Sequence, residues 1–364
     1  MNEVKIAIDV SPIYDGNAIR GVGYYTDNLV KSLQKEIKTN PDYKNWQVDL
    51  IKNLPADRQV STLDIRNYDL IHYPYFDPFQ LTLPQKKSTP IIVTVHDLIP
   101  IEFKKHFPVG IKGYFKWLIQ KSKLKKVSKI ITVSDYSKNI INQITKYPLV
   151  NIFTTHLAAD SSFKKINDSK KIESIRNKYN LPKKFILFVG DINWNKNIPN
   201  LVKACIKLKY PLVVVGSAAT KKDIPNHPWT QDILWLQSQQ SPYLITTGFV
   251  PDEDLPYLYN LATIYCQPSF AEGFGLPLVQ AMQSGCPVAF SQDSCLPEIM
   301  DDSGLSFDPR SVKDIMIILK KYWNSPSLQQ KYSQLGLTRA KLFDWSFTAR
   351  QTLAVYKLAL IDEK

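Results

Sequence analysis

No apolar run in this chain of 364 residues approaches the ~20 consecutive residues that a bilayer-spanning helix needs. Cysteine is scarce as well. Cys205, Cys266, Cys286 and Cys295 form no CxxC pair and have no histidine nearby, which excludes a zinc ribbon and a disulfide framework. They are expected to be small core residues in a reducing compartment. The opening residues Met1–Asp9 lack the charged, apolar and small-residue regions of a secretion signal, so a cytoplasmic protein is expected. Acidic residues are the other shortage: 33 against 46 lysines and arginines, a formal charge of +13. With 44% apolar residues the chain is nonetheless of ordinary globular composition. At about 150 residues per domain, its length suggests two domains.

The positive charge is clustered. Between Phe103 and Lys129 there is no acid, and nine lysines occur from Lys104 to Lys129. In the same stretch Ile111, Tyr114, Phe115, Leu118 and Ile119 recur at helical spacing, with Trp117 beside them. Two readings stay open. Residues 104–129 form either a basic amphipathic helix in peripheral contact with an anionic membrane, or a helix packed on the core with a solvated basic face. No nucleic-acid-binding motif accompanies the charge, so no nucleic-acid partner is expected.

Short β-branched runs alternate with helical patterns. Strands are predicted at Val4–Val10, Gln47–Ile51, Leu70–Tyr73, Ile91–Val95, Ile130–Val133 and Ile152–Thr155, with helices at Gly23–Glu36, Val109–Lys126 and Tyr136–Thr145. After the polar stretch Lys164–Asn180 a second series begins. Its strands are Phe185–Val189, Leu212–Val215, Tyr243–Thr247, Thr263–Cys266 and Val288–Phe290, and its helices Asn197–Leu208, Asp252–Leu261 and Leu276–Ser284. Apolar strands that seldom alternate with polar residues indicate parallel sheets covered on both faces. Ala218–Gln240 is expected to be an inserted surface loop. Two such α/β series imply two domains, with ligands beyond the carboxyl ends of the strands and a site in the cleft between them.

The segment most suggestive of chemistry is Pro268–Met282. It follows a strand, turns at Gly273 and Gly275, and enters a helix with Pro277 near its start. Exposed amides at a helix start attract anions. Glu272 there would compete with a phosphate, so it either caps the helix or binds something else, such as sugar hydroxyls. Glu272-Gly273-Phe274-Gly275-Leu276-Pro277 closely resembles the first half of the Glu-x7-Glu signature of family 4 retaining glycosyltransferases, the glycosyl transferases group 1, which have the GT-B fold. The resemblance implies that Glu272 binds the donor sugar while the turn amides of Gly273, Phe274, Gly275 and Leu276 hold sugar and phosphate. The signature's second glutamate, which accepts from the ribose, is replaced by Gln280. In Phe188–Asn197 the resemblance makes Lys196 the contact to the donor diphosphate. The arginines common in relatives are replaced by Asp191 and Asn195.

In the first half, Ile91–Pro100 looks like mannosyltransferase-like members of the group. This implies that His96 meets the donor sugar near its primary hydroxyl, with Asp97 orienting the ring or binding acceptor. Gly21-Val22-Gly23 fits the family's glycine-rich loop beside the donor phosphates, with Arg20 a candidate for the missing cation. Ser134 and Asp135 read as helix caps. Gly248-Phe249-Val250 resembles the loop whose backbone reads the nucleobase, and Asp252-Glu253-Asp254 reads as helix capping and not as a metal-binding DxD.

The expectation is therefore an α/β protein of GT-B fold, two Rossmann-like domains facing across a central cleft. An acceptor domain is expected over 1–165 and a donor domain over 166–346, with the C-terminal helix 347–364 packing back on the first. The expected activity is metal-independent, retaining transfer of a hexose, mannose before others, from a GDP- or UDP-linked sugar to a glycan or lipid-linked acceptor. No cofactor and no metal are expected. Peripheral attachment to the inner face of the membrane fits that acceptor. Two rivals are weighed against this reading: a non-catalytic sugar-nucleotide-binding relative, suggested by Gln280, Asp191 and Asn195, and a nucleotide-sugar epimerase.

Overall fold

The computed structural model describes residues 3–16, 21–52, 67–84 and 89–362. It divides into two compact units. The first comprises Met1–Lys104, Val109–Ala158 and Asp344–Lys364, the second Lys105–Pro108 and Ala159–Phe343.

The first unit is built on β1 (Val4–Asp9), β2 (Trp46–Ile51), β3 (Leu70–Tyr73), β4 (Ile91–Thr94), β5 (Lys129–Thr132) and β6 (Ile152–Thr154). They form one parallel sheet in the order β2-β1-β3-β4-β5-β6. β3, β4 and β5 are buried at every residue, which is why their sequences do not alternate. Ser134 does cap the Asp135–Thr145 helix, accepting from the Ser137 amide. The helix Trp345–Ile361 belongs to this unit: Thr348 Oγ1 donates to the His156 carbonyl (2.6 Å), and Lys129 pairs with Asp362 at 2.5 Å.

The Gly110–Leu124 helix does pack on the core, with exposed lysines on its outer side, but through a different set of residues from the one its spacing singled out. Trp117, Gln120, Lys123 and Leu124 are its buried residues, whereas Ile111, Tyr114, Phe115, Leu118 and Ile119 are exposed. The apolar set is thus not packed on the core. The inward face takes Trp117 and Leu124 into the cluster of Val93, Ile130 and Ile141, and the donor groups of its polar members find acceptors. Lys123 Nζ donates to the Leu83 carbonyl, and Gln120 Nε2 to Thr82 Oγ1.

The second unit contains β7 (Ile186–Val189), β8 (Leu212–Val215), β9 (Leu244–Gly248), β10 (Ile264–Gln267), β11 (Val288–Ser291) and β12 (Leu305–Phe307). All pair in parallel in the order β12-β11-β10-β7-β8-β9. Counted from β7, this is the doubly wound order in which the chain reverses direction across the sheet between its first and fourth strands. The short β12 has no apolar run to announce it and exists because it pairs with β11. Ala218–Gln240 is not simply a surface loop. It holds the Gln231–Gln237 helix, whose Ile233 and Leu236 enter the core. All four cysteines are buried and free.

Candidate active site

In a doubly wound sheet, ligands bind where neighbouring strands send their connections in opposite directions. In the second unit that point lies between β7 and β10, and the loops leaving these strands carry Lys196 and Glu272. The two side chains meet. Lys196 Nζ donates to Glu272 Oε1 at 2.8 Å and Oε2 at 2.7 Å, with Glu272 only 7% exposed. A carboxylate this buried needs more than one partner. Gln267 Nε2 (2.7 Å) and Ser269 Oγ (2.6 Å) also donate to Oε1. Gln267 is itself oriented by the Tyr265 hydroxyl, which donates to its Oε1. Oε1 thus takes three donors and Oε2 takes Lys196, so Oε2 has the spare accepting capacity.

The backbone beneath this pair is stapled from both sides. Asn195 Nδ2 donates to the Ala271 carbonyl (2.9 Å), and the Phe270 amide returns a bond to the Asn195 carbonyl (2.8 Å). Asn197, in the left-handed region at φ 52°, donates to the carbonyls of Pro268 and Pro309. Ser294 Oγ donates to the Glu272 carbonyl and accepts from its amide. Asn195 therefore has a structural reason to be asparagine: it ties the β7 loop to the β10 loop and is buried. Trp194 stacks on His106 (3.7 Å between centroids, 8° between planes) and on Phe270 (5.1 Å). Tyr265, Gln267, Ser269 and the staple Asn195 were not expected as site residues. The one available signal was a glutamine closing the otherwise apolar strand Ile264–Gln267.

Gly273, Phe274, Gly275 and Leu276 share the loop of Glu272. Gly275 requires glycine: its φ is +87°, and a Cβ there would stand 3.0 Å from Leu296 Cδ2. Phe274 is buried with its ring edge-on to Phe343. The helix Leu276–Gln283 then carries Gln280, whose Oε1 accepts from the Tyr259 hydroxyl at 3.0 Å. Tyr259 is fully buried, and burial pushes its hydroxyl well above the usual range, so it keeps its proton. The loop after β9 exposes Phe249 and buries Val250. Asp254 precedes the Leu255–Leu261 helix without a side-chain capping bond. It accepts instead from Lys178 Nζ (2.5 Å) and the Tyr179 hydroxyl (2.7 Å). Despite its burial, these donors hold its carboxyl below the usual range.

His96, Gly21 and Gly23 belong to the first unit. His96 follows β4 and donates from Nε2 to the Pro74 carbonyl (3.1 Å), which leaves Nδ1 as an acceptor in the neutral ring. Burial lowers its pKa to about 4, against the opposing bond to Pro74. The Tyr25 ring meets the imidazole edge-on at 4.7 Å. Beneath it lies a buried polar chain: His72 contacts the Tyr356 hydroxyl (2.6 Å) and Thr94 Oγ1 (2.9 Å), and Thr94 contacts the Tyr25 hydroxyl. Gly21 and Gly23 open the Gly21–Thr39 helix. Arg20 lies outside the described residues.

The second unit thus sets a buried carboxylate against a lysine at a strand switch point, beside a glycine turn into a helix. Residues 170–338 match the family described as glycosyl transferases group 1, and residues 22–160 match glycosyltransferase family 4. The chain is 32% identical to O-antigen chain mannosyltransferase B of Escherichia coli, over 85% of this chain and 80% of that protein. In fold it is similar to sucrose-phosphate synthase from Thermosynechococcus elongatus (TM-score 0.73, 18% identity, 99% of this chain and 100% of the other). It is likewise similar to Anabaena HepE in complex with UDP and glucose (TM-score 0.72, 16% identity, 98% and 100%). The chain belongs to the group 1, family 4 glycosyltransferases of GT-B fold. It is a glycosyltransferase.

Proposed function

We propose that the protein is a retaining, metal-independent hexosyltransferase that takes mannose from a nucleoside diphosphate sugar and delivers it to a glycan or lipid-linked glycan at the inner face of a membrane. The observation that carries this reading is the Lys196–Glu272 pair at the β7–β10 switch point. The likeness to an O-antigen chain mannosyltransferase supports the sugar and the kind of acceptor.

On this proposal donor binding exchanges partners at the pair. The diphosphate draws Lys196 Nζ, and donor-sugar hydroxyls replace it at Glu272 Oε2. A cation ~4 Å from a phosphate at an effective dielectric of 20 is worth about 4 kcal/mol before desolvation. The amides of Gly273, Phe274, Gly275 and Leu276 share the developing phosphate charge, which is the electrostatic task a metal performs elsewhere. The acceptor hydroxyl attacks the anomeric carbon on the face the diphosphate leaves. The C–O bond to phosphate breaks with its electron pair on the leaving oxygen, and that oxygen takes the hydroxyl proton, so no side-chain base is needed. His96, neutral with Nδ1 free to accept, suits a sugar hydroxyl better than a phosphate. Phe249 and Val250 read the nucleobase, and Gln280 meets the ribose.

The test is a screen of GDP- and UDP-linked sugars with excess chelator, scoring thermal stabilisation and donor hydrolysis together. A donor at 100 times its Kd adds about 2.7 kcal/mol to stability. GDP-mannose standing out, unaffected by chelator, is expected. Turnover that requires a divalent ion would overturn metal independence. Inversion at the anomeric carbon of the product would overturn the retaining assignment.

A further inference from the structure

The Gly110–Leu124 helix wears apolar side chains on both sides, and only one side is accounted for by the core. On the other, Ile111 (77% exposed), Tyr114, Phe115 (59%), Leu118 and Ile119 form one unbroken arc in solvent. At about 100° per residue these five lie on a single face, opposite Trp117, Gln120 and Leu124. A solvent-facing run of five large apolar side chains is more than the scattered exposure of an ordinary surface and marks an interaction site.

The flanks of the arc say what covers it. Lys112 and Lys116 border it on one side and Lys121 on the other, with Lys125 and Lys126 following the helix. None of these lysines forms an ion pair with a described residue. No acid occurs from Phe103 to Lys129. A second copy of this chain laid on the face would set lysines against lysines. A surface with an apolar interior and negative charges at its rim matches both features, because the lysine stems extend along the apolar face while their ammonium groups reach the rim. Fifteen residues at 1.5 Å each are about 22 Å, too short to span a bilayer, so such a helix lies in the plane of the interface.

We infer that the outer face of the Gly110–Leu124 helix is a docking surface for an anionic phospholipid bilayer, with Ile111, Phe115 and Ile119 entering the acyl boundary and Lys112, Lys116 and Lys121 at the headgroups. This names the surface by which the protein reaches the membrane-borne acceptor proposed above. It rests on that reading only for its purpose.

The experiment is sedimentation of the full chain with vesicles of phosphatidylcholine, with and without phosphatidylglycerol, and with no sugar nucleotide present. The expected result is binding that requires phosphatidylglycerol and falls with salt. The pair Ile111→Ser and Phe115→Ser should lower partitioning by about tenfold or more. Lys112→Gln, Lys116→Gln and Lys121→Gln should lower it by roughly fivefold each. All of these side chains are exposed except the half-buried Lys121, and circular dichroism checks that the variants remain folded. Three results would overturn the inference: equal binding to pure phosphatidylcholine, no loss in the Ile111/Phe115 variant, or no vesicle binding by a protein that dimerises through this face instead. Donor binding is measured separately in lipid-free solution, so failure of the membrane surface and failure of the transferase reading are told apart.

Discussion

The two units solve one architectural problem with opposite electrostatics. Each is a six-stranded parallel sheet with functional candidates at the carboxyl ends of its strands. At the β7–β10 switch point of the second unit, the buried groups are charged, and each charge is compensated: Glu272 by Lys196, Gln267 and Ser269. In the first unit, the fully buried polar groups around the ends of β3 and β4 are neutral, while the carboxylate of Asp97, which follows His96, is only half-buried. His72, Thr94, Tyr25 and Tyr356 share hydrogen bonds, and His96 is held by a carbonyl. A buried charge is tolerable only with a partner, whereas a buried imidazole can discard its charge. On the proposed function, one unit holds an anion by exchanging its ion pair, and the other offers neutral donors and acceptors.

The contrast predicts where damage is greatest. Lys196→Ala should cost about 10²–10³-fold in kcat/KM, the scale for removing one preorganised stabiliser of developing charge. Loss in kcat and kcat/KM alike is the expected pattern, and a change confined to KM would reduce Lys196 to ground-state binding. Acid should act on the neutral unit. Burial lowers the pKa of His72 to about 3, helped by nearby His96, and that of His96 to about 4, from an ordinary 6.5. The unfolded chain then takes the proton first as pH falls. Stability from the two neutral rings is complete above about pH 6.5 and is lost below it, at about 1.4 kcal/mol per pH unit for each histidine. Thermal melting from pH 7 to 4.5 measures this, and His72→Gln should flatten the slope. A wild type with no slope in that range would remove the claimed difference between the units.

Smaller effects sharpen the comparison. Asn195→Ala leaves the buried Ala271 carbonyl unpaired and should cost about 1–3 kcal/mol of stability by denaturant unfolding. His96→Ala should lower kcat/KM roughly tenfold, the weight of a neutral hydrogen bond, and a loss as large as that of Lys196→Ala would contradict its neutral role. Gln280→Glu should be smallest, a few-fold change in donor KM. The Tyr259 hydroxyl already occupies Gln280 Oε1, and a carboxylate would strengthen that bond as well as any bond to ribose.

Much of the second unit was legible in the residues. Strands such as Leu212–Val215 are runs of buried apolar side chains, most of them β-branched. The glycine turn of Gly275 needs a positive φ, and Lys196 and Glu272 stand in recognisable local patterns. What surrounds them was not legible. Asn195 and Lys196 reach their partners across loops from different strands, and no local pattern encodes a contact between residues 76 apart. Gln267 and Ser269 lie only five and three residues before Glu272, but nothing in that spacing shows that their side chains turn to it. The Gln231–Gln237 helix was hidden for a related reason. Its apolar residues Ile233, Leu234, Trp235 and Leu236 are consecutive, and a run of four in a seven-residue helix displays no period, although Ile233 and Leu236 are the two that are buried.

By itself the sequence determined two successive parallel α/β sheets, the glycine turn with its neighbouring carboxylate and lysine, and an amphipathic segment without acids at 103–129. Tertiary structure alone decided which face of that segment turns inward. Helical spacing groups Ile111, Tyr114, Phe115, Leu118 and Ile119 on one side, but periodicity is silent about the direction in which a side points. That choice was made by the core, which had room for Trp117 and Leu124 and acceptors for Gln120 and Lys123, and so left the larger apolar face to the solvent.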